Sequence, residues 1–208
     1  MAVPGAAEFV PPHASLAELR RASCGCHGCD LYRHATQTVF GEGPENADVV
    51  MIGEQPGDQE DVRGHPFVGP AGHLLDRAIA EVGIDRDRIY VTNAVKHFKF
   101  EERGKRRIHK QPGRTEIVAC SAWLDAELRV IEPQLVVCLG AIAAKAVLGP
   151  SFKVSERRGE LVTMPDYAVV ATVHPSSVLR APDRDEAYAG FVADLKRLRT
   201  VCGGIRPM

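Results

Sequence analysis

The chain has 208 residues, 45% apolar and 25% charged, with a formal net charge of −1. That balance fits an ordinary globular protein, a single domain over 1–208 around one large core. No apolar run approaches the ~20 residues a membrane span needs, and the net charge is not that of a chain that holds nucleic acid nonspecifically over its whole surface. The first residues, Met1 to Gly5, show neither a positive n-region nor an apolar h-region, so the expected compartment is the cytoplasm.

In chain order, Cys24, Cys26 and Cys29 come first and crowd together, whereas Cys120, Cys138 and Cys202 are scattered. In a cytoplasmic chain this favours a metal or cluster site over a disulfide framework. The apolar run Asp48–Gly53 reads as a buried strand. Leu74, Leu75, Ala78, Ile79 and Val82 have helical spacing within 71–82, and Gly83 is a plausible C-cap. Arg88–Val95 is the next strand. Between Lys96 and Arg114 lie eight cationic residues against only Glu101 and Glu102, a basic stretch that reads either as a solvated loop or as a nucleic-acid patch. Thr115–Ile131 is an amphipathic helix. Gln134–Gly140 is a third strand, followed by an alanine-rich helix to about Leu148. Tyr167–Val173 is a fourth strand, and Asp183–Arg199 a closing helix.

Strands that alternate with helices and are apolar on both faces predict a three-layer α/β/α sandwich around a four-stranded parallel sheet. Ligands of such folds gather at the carboxyl ends of the strands. The unusual residues sit there: Glu54-Gln55-Pro56-Gly57 after the first strand, His97 after the second and His174-Pro175-Ser176 after the fourth.

Four segments in this order carry a family resemblance: Gly53-Glu54-Gln55-Pro56-Gly57, Pro66-Phe67-Val68-Gly69, Val91-Thr92-Asn93-Ala94-Val95-Lys96 and His174-Pro175-Ser176-Ser177-Val178-Leu179-Arg180, preceded by the Cys26-x2-Cys29 pair. Together they resemble the iron–sulfur (family 4-type) uracil-DNA glycosylases, from about Cys26 to Leu198. Lys105-Arg106-Arg107-Ile108-His109 further resembles the signature loop of the UdgX-like subgroup, whose members become covalently joined to DNA through the loop histidine.

The resemblance implies a uracil-DNA glycosylase fold, uracil-containing DNA (single strands included) as substrate, uracil as product, and a monomer. Cleaving an N-glycosidic bond builds positive charge on the sugar and negative charge on the base. A carboxylate near the sugar and a donor near the base oxygen are therefore needed, roles that suit Glu54 and His174. Phe67 is suited to stacking on a flipped pyrimidine, and Asn93 to pairing with its edge beside Gly53. Lys105, Arg106, Arg107 and Lys110, with Ser176, Ser177 and Arg180, would hold DNA. Those loop cations should also press the His109 pKa down and keep its imidazole nucleophilic. By residue type alone, His109 is equally one more polar residue of a basic loop. Gln55 stands where the ordinary enzymes commonly have a small residue, and is expected to bond His109 or the uracil.

The family pattern places four ligands around a [4Fe–4S] cluster. Cys26, Cys29 and Cys120 occupy three places, and at the remaining one His97 stands where cysteine is usual; imidazole is an accepted iron ligand in Rieske centres. Cys24 and Cys138 are rivals for the fourth position, and zinc is the alternative metal. Two other functions stay open at this level: ordinary multiple-turnover release of uracil, and a catalytically silent DNA-binding iron–sulfur protein.

Overall fold

In a computed structural model, which describes residues 5–201, each expected strand and helix forms within a few residues of its predicted bounds. A 3-10 turn (Ala6–Phe9) leads to helix α1 (Leu16–Ser23), which starts on a reciprocal Ser15–Glu18 capping box. Next come strand β1 (Val49–Gly53), the short helix α2 (Asp58–Arg63), α3 (Pro70–Val82) and β2 (Ile89–Asn93). A hairpin of β3 (Phe100–Arg103) and β4 (Arg106–His109) precedes α4 (Arg114–Ile131). The chain continues through β5 (Leu135–Leu139), α5 (Ala141–Leu148), α6 (Val154–Arg157), β6 (Leu161–Thr163), β7 (Ala168–Thr172), α7 (Pro175–Leu179) and α8 (Arg184–Val201).

The sheet order is β2-β1-β5-β7-β6. The four central strands are parallel, as expected, but the sheet has five: β6 runs antiparallel along β7. This fifth strand escapes sequence reading because it is three residues long and at most half-buried, so no apolar run marks it. The hairpin was also unforeseen. Its strands are polar, and only the two-residue Gly104-Lys105 turn between them betrays it. The other sheet edge is covered by the segment before β1: Val39 donates to the Lys96 carbonyl, and Glu42 and Val91 exchange backbone hydrogen bonds.

Side chains alternate between two cores, as the two-residue period of a strand requires. Val50, Ile52, Tyr90, Val136 and Cys138 pack on the side of α1, α4 and α5. Val49, Met51, Ile89, Val91 and Val137 pack on the side of α3, α7 and α8. Cys138 is therefore a core side chain of β5. Cys202 lies outside the described residues. Among those described, no helix is long and apolar enough to cross a membrane.

Lys96 does not belong to the surface basic stretch. It is 1% exposed, and its ammonium donates to Glu127, to Thr92 Oγ1 (2.7 Å) and to the Asn93 carbonyl (2.9 Å). Glu127 also accepts from Tyr90 OH, Thr92 Oγ1 and the Gly41 N–H. With nearly every donor and acceptor matched, the buried pair ties the end of β2 to the middle of α4. Removing one partner leaves an uncompensated buried charge. Glu127→Ala is therefore expected to lower unfolding free energy by about 3–5 kcal/mol in urea titrations, and Glu127→Gln by less.

Candidate active site

The parallel register sets the site. Gly53 lies beside Asn93, and Leu139 beside Thr172, so β1, β2, β5 and β7 end level with one another. Their following residues open onto a cleft of about 690 Å³ lined by Glu54, Phe67, Asn93, His109, His174 and Arg180, among others. This volume is in the range of small-molecule sites. Gln55 and Ser176 also line it.

Phe67 forms one wall in a strained conformation. Its φ is +57°, a left-handed value unusual for a bulky residue. Two glycines make this arrangement fit. A Cβ on Gly72 of α3 would come within 1.6 Å of the Phe67 carbonyl oxygen, and a Cβ on Gly53 within 2.3 Å of Asn93 Oδ1 and 2.8 Å of the Phe67 ring. The loop is further held by buried Glu60, which accepts from the Gly69 N–H at 2.9 Å. The Phe67 and His174 rings are near parallel, with an interplanar angle of 27° and centroids 6.4 Å apart.

His174 is the N-cap of α7. Its Nδ1 accepts from the Ser176 N–H at 3.1 Å, so in the neutral ring the proton sits on Nε2. Ser176 Oγ approaches the same nitrogen at 2.8 Å, and Ser177 Oγ donates to the His174 carbonyl at 2.7 Å. Both serine hydroxyls thus serve the histidine. Burial, aided by the Arg180 charge and then by His109, pushes the His174 pKa down to about 4. The ring is a neutral N–H donor at physiological pH.

His109 reaches the cleft on the β3–β4 hairpin, which Arg107 anchors from below. The Arg107 guanidinium donates to Asp58 Oδ1 and to fully buried Asp61 Oδ2, each at 2.6 Å, and lies 5.1 Å from the Phe100 ring centroid and 5.5 Å from that of Phe98. Sequence reading missed Asp58 and Asp61, although their three-residue separation on a helix after Gly57 was a usable signal for one shared face. Gln55 also departs from expectation. Its amide donates to the carbonyls of Lys99 (3.1 Å) and Lys110 (3.0 Å) and accepts from the Lys99 N–H (3.1 Å). It braces the base of the hairpin, and its polar atoms bond neither His109 nor another cleft side chain.

Much of the basic stretch is internally neutralised. Lys99 pairs with Glu116 and Lys110 with Glu101, while Lys105 and Arg106 remain exposed at the hairpin tip. The His109 pKa is lowered as expected, but by a different cause: burial first, then the charge of Arg180, not the loop's own cations. His109 Nε2 is the nitrogen facing Glu54 Oε1, at 3.6 Å.

Glu54 Oε1 is buried with no hydrogen-bond partner among the described residues. Burial raises the Glu54 pKa, opposed by a side-chain hydrogen bond from Gln111 and by the Arg180 charge. Gln111 is a further site residue that sequence reading missed; nothing in its local pattern distinguishes it.

Away from the cleft, Cys26, Cys29 and Cys120 are buried free thiols, and ionisation of Cys120 is opposed by burial and, to a smaller extent, by neighbouring Cys29 and Cys26. Two N–H groups point at these sulfurs: the Trp123 indole at Cys26 Sγ (3.2 Å) and the Lys96 amide at Cys120 Sγ (3.3 Å). Burial pushes the Cys120 thiol up to about 12. His97 is buried, and its Nε2 lies 2.9 Å from Thr38 Oγ1. Cys24 is exposed, its thiol directed at the Arg20 carbonyl. Among the described residues, no three His, Cys, Asp or Glu side chains converge on the position of a single metal ion. A four-iron cluster spreads its ligands around a larger body, and sulfurs that receive N–H hydrogen bonds suit thiolate ligation.

The family model described as the uracil DNA glycosylase superfamily matches residues 40–196. The chain is 33% identical to a type-4 uracil-DNA glycosylase of Archaeoglobus fulgidus, over 93% of this chain and 96% of the relative. It is 34% identical to the type-4 enzyme of Sulfurisphaera tokodaii (81% and 78%) and 36% identical to that of Thermotoga maritima (74% and 78%).

The crowding around Gly53 yields a test. In Gly53→Ala, Asn93 and Phe67 must both retreat, so uracil release from an oligonucleotide should fall by at least about tenfold, the effect of misplacing reacting groups by an ångström or less. Native circular dichroism should be retained.

Proposed function

The chain belongs to the uracil-DNA glycosylase superfamily, and within it we propose that it excises uracil from DNA and is then captured on the abasic sugar through His109. The observation that carries this reading is the facing pair of Glu54 Oε1 and His109 Nε2. The two atoms stand 3.6 Å apart, and Glu54 Oε1 is buried with no hydrogen-bond partner among the described residues. A carboxylate and an imidazole nitrogen so placed suit a cationic carbon beside them.

Flipped uracil would lie against Phe67, with Asn93 at its pairing edge and His174 Nε2–H at O2. As the N1–C1′ bond breaks, its electron pair leaves with the base. The neutral His174 N–H stabilises the growing charge at O2, and ionised Glu54 stabilises the cation at the sugar. The lone pair of His109 Nε2 then forms a bond to C1′. The imidazole sheds its Nδ1 proton and the uracil anion takes one up, so neutral uracil and an N-alkylated histidine result. Held at the cation, His109 competes with water at a high effective concentration. Lys105 and Arg106 at the exposed tip, with Arg180, would contact phosphates. Capture would place the chain in the UdgX-like subgroup. Its substrate would be uracil-containing DNA, single strands included, met by a cytoplasmic monomer.

The reading includes a [4Fe–4S] cluster held by Cys26, Cys29, His97 and Cys120. The donor set fits: three buried unpaired thiols, two of them receiving N–H hydrogen bonds. When bound, the cluster would brace the N-terminal segment against α4, since glycosidic cleavage has no redox step. Thr38 donates its only hydroxyl proton to the Ser23 carbonyl (2.9 Å), so His97 Nε2–H is the donor in the Thr38 contact. That leaves His97 Nδ1 as the ligating nitrogen. The purified protein should be brown, and chelation with a reductant should bleach it and lower its thermal stability.

Incubation with a uracil-containing single-stranded oligonucleotide, followed by a denaturing gel, tests capture. A heat- and detergent-resistant shift is expected, and His109→Ser should abolish it while still releasing uracil. Persistence of the shift in His109→Ser would overturn the nucleophile; free uracil with no wild-type shift would indicate ordinary turnover. The pH dependence has a definite sign. Capture needs neutral His109, whose pKa lies below 6.5, and ionised Glu54, whose pKa lies above 4.5. Capture should be flat through neutral pH and fall on acidification, with no loss toward mildly alkaline pH.

A further inference from the structure

Thr36, Gln37 and Thr38 do not line the cleft, yet the side chain of each is hydrogen-bonded. The Thr36 N–H donates to Asp61 Oδ1 (3.0 Å) and its hydroxyl to Asp61 Oδ2 (2.6 Å), while the hydroxyl oxygen accepts from Arg107 Nη1 (3.1 Å). Gln37 Nε2 donates to the carbonyls of Asp61 and Val62, both at 3.0 Å, and so closes the end of α2. Thr38 Oγ1 joins the Ser23 carbonyl to His97 Nε2. One tripeptide thus connects the cysteine-bearing segment, the end of α2 and the hairpin guanidinium.

We propose that Thr36-Gln37-Thr38 is a strap that positions the His109 hairpin, so that covalent capture, and not release of the base, depends on it; this rests on the His109 reading given above. The geometry of β4 supplies the link. Arg107 and His109 are two residues apart on one strand and share a face. Whatever holds the Arg107 guanidinium down toward α2 also aims the imidazole at Glu54. Arg107 has four acceptors there, the Asp58 carboxylate and carbonyl, the Asp61 carboxylate and Thr36 Oγ1, and Thr36 is in addition what orients Asp61. The hairpin makes few other fixed contacts at its outer half, where Arg103, Lys105 and Arg106 are exposed. Phe67, Asn93 and His174, which would hold and polarise the base, make no hydrogen bond to the strap. Loosening the strap should therefore blur the nucleophile and leave the pocket intact. Thr36, Gln37 and Thr38 act as positioning residues only.

The test uses Thr36→Val, Thr38→Val and the conservative Thr36→Ser in the protein as purified. Two quantities are read: the ratio of crosslinked oligonucleotide to released uracil, and amide hydrogen exchange of residues 106–109 without DNA. Thr36→Val removes a hydrogen bond to two charged groups, and should lower the ratio about tenfold at near-normal uracil release, with faster exchange of the hairpin. Thr36→Ser should restore both quantities, and Thr38→Val should shift them the same way by less. Unchanged hairpin exchange in Thr36→Val, or a parallel fall of capture and release, would overturn the strap. Should the wild-type protein release uracil without any crosslink, the His109 reading fails, while hairpin exchange still decides whether the strap holds the hairpin.

Discussion

A single buried carboxylate, Asp61, sets the position of the cleft's outer wall. It is fully enclosed, and an enclosed charge must be matched by donors and by opposite charge or it destabilises the fold. Its partners come from two places far apart in sequence, the Thr36 backbone and hydroxyl and the Arg107 guanidinium. Satisfying Asp61 therefore brings an arm that would otherwise be a solvated basic hairpin down onto α2. His109, on the same face of β4, arrives over Glu54 as a consequence. The electrostatics of one interior oxygen pair decide where a surface element sits.

The same economy governs protonation in the cleft. Arg180 is the shared electrostatic cause: its positive charge opposes a further proton on His174 and on His109, and favours ionised Glu54. Burial adds to its effect on the two rings and opposes it on the carboxylate. The outcome is two imidazoles held toward the neutral form. His174 presents an N–H, fixed by the Ser176 amide, while His109 turns Nε2 toward Glu54.

The parallel strands were readable because burial on both faces leaves a continuous apolar run, and the helices because their apolar spacing and Gly83-type stops are local. The convergence of Glu54 and His174 was also readable, since parallel strands of equal register must end together, but His97, expected at the same end, turns to Thr38 instead and Asn93 lines the cleft in its place. Three things were not. β6 has too little buried surface to leave a pattern. The hairpin is held by Gln55 and Arg107 through contacts that span more than 40 positions. The charges of Lys96 and Lys99 read as part of a patch because sequence shows the cations and not the distant carboxylates that meet them, Glu127 and Glu116. Local signals carried the scaffold; pairings across the chain decided what each polar side chain was for.

The wall formed by Phe67 has an evolutionary side. Its left-handed backbone lies so close to α3 that position 72 admits no side chain at all, and the ring in turn crowds position 53. None of these three positions is free to drift while the others stay put. A substitution at 72 becomes tolerable only after the loop has taken another path, and that path would carry the ring away from the cleft. The pocket should therefore change by rare concerted replacement and not by gradual reshaping. A library meant to widen its base preference would have to randomise 53, 67 and 72 together, because a side chain added at 53 or 72 alone runs into Asn93 or Phe67.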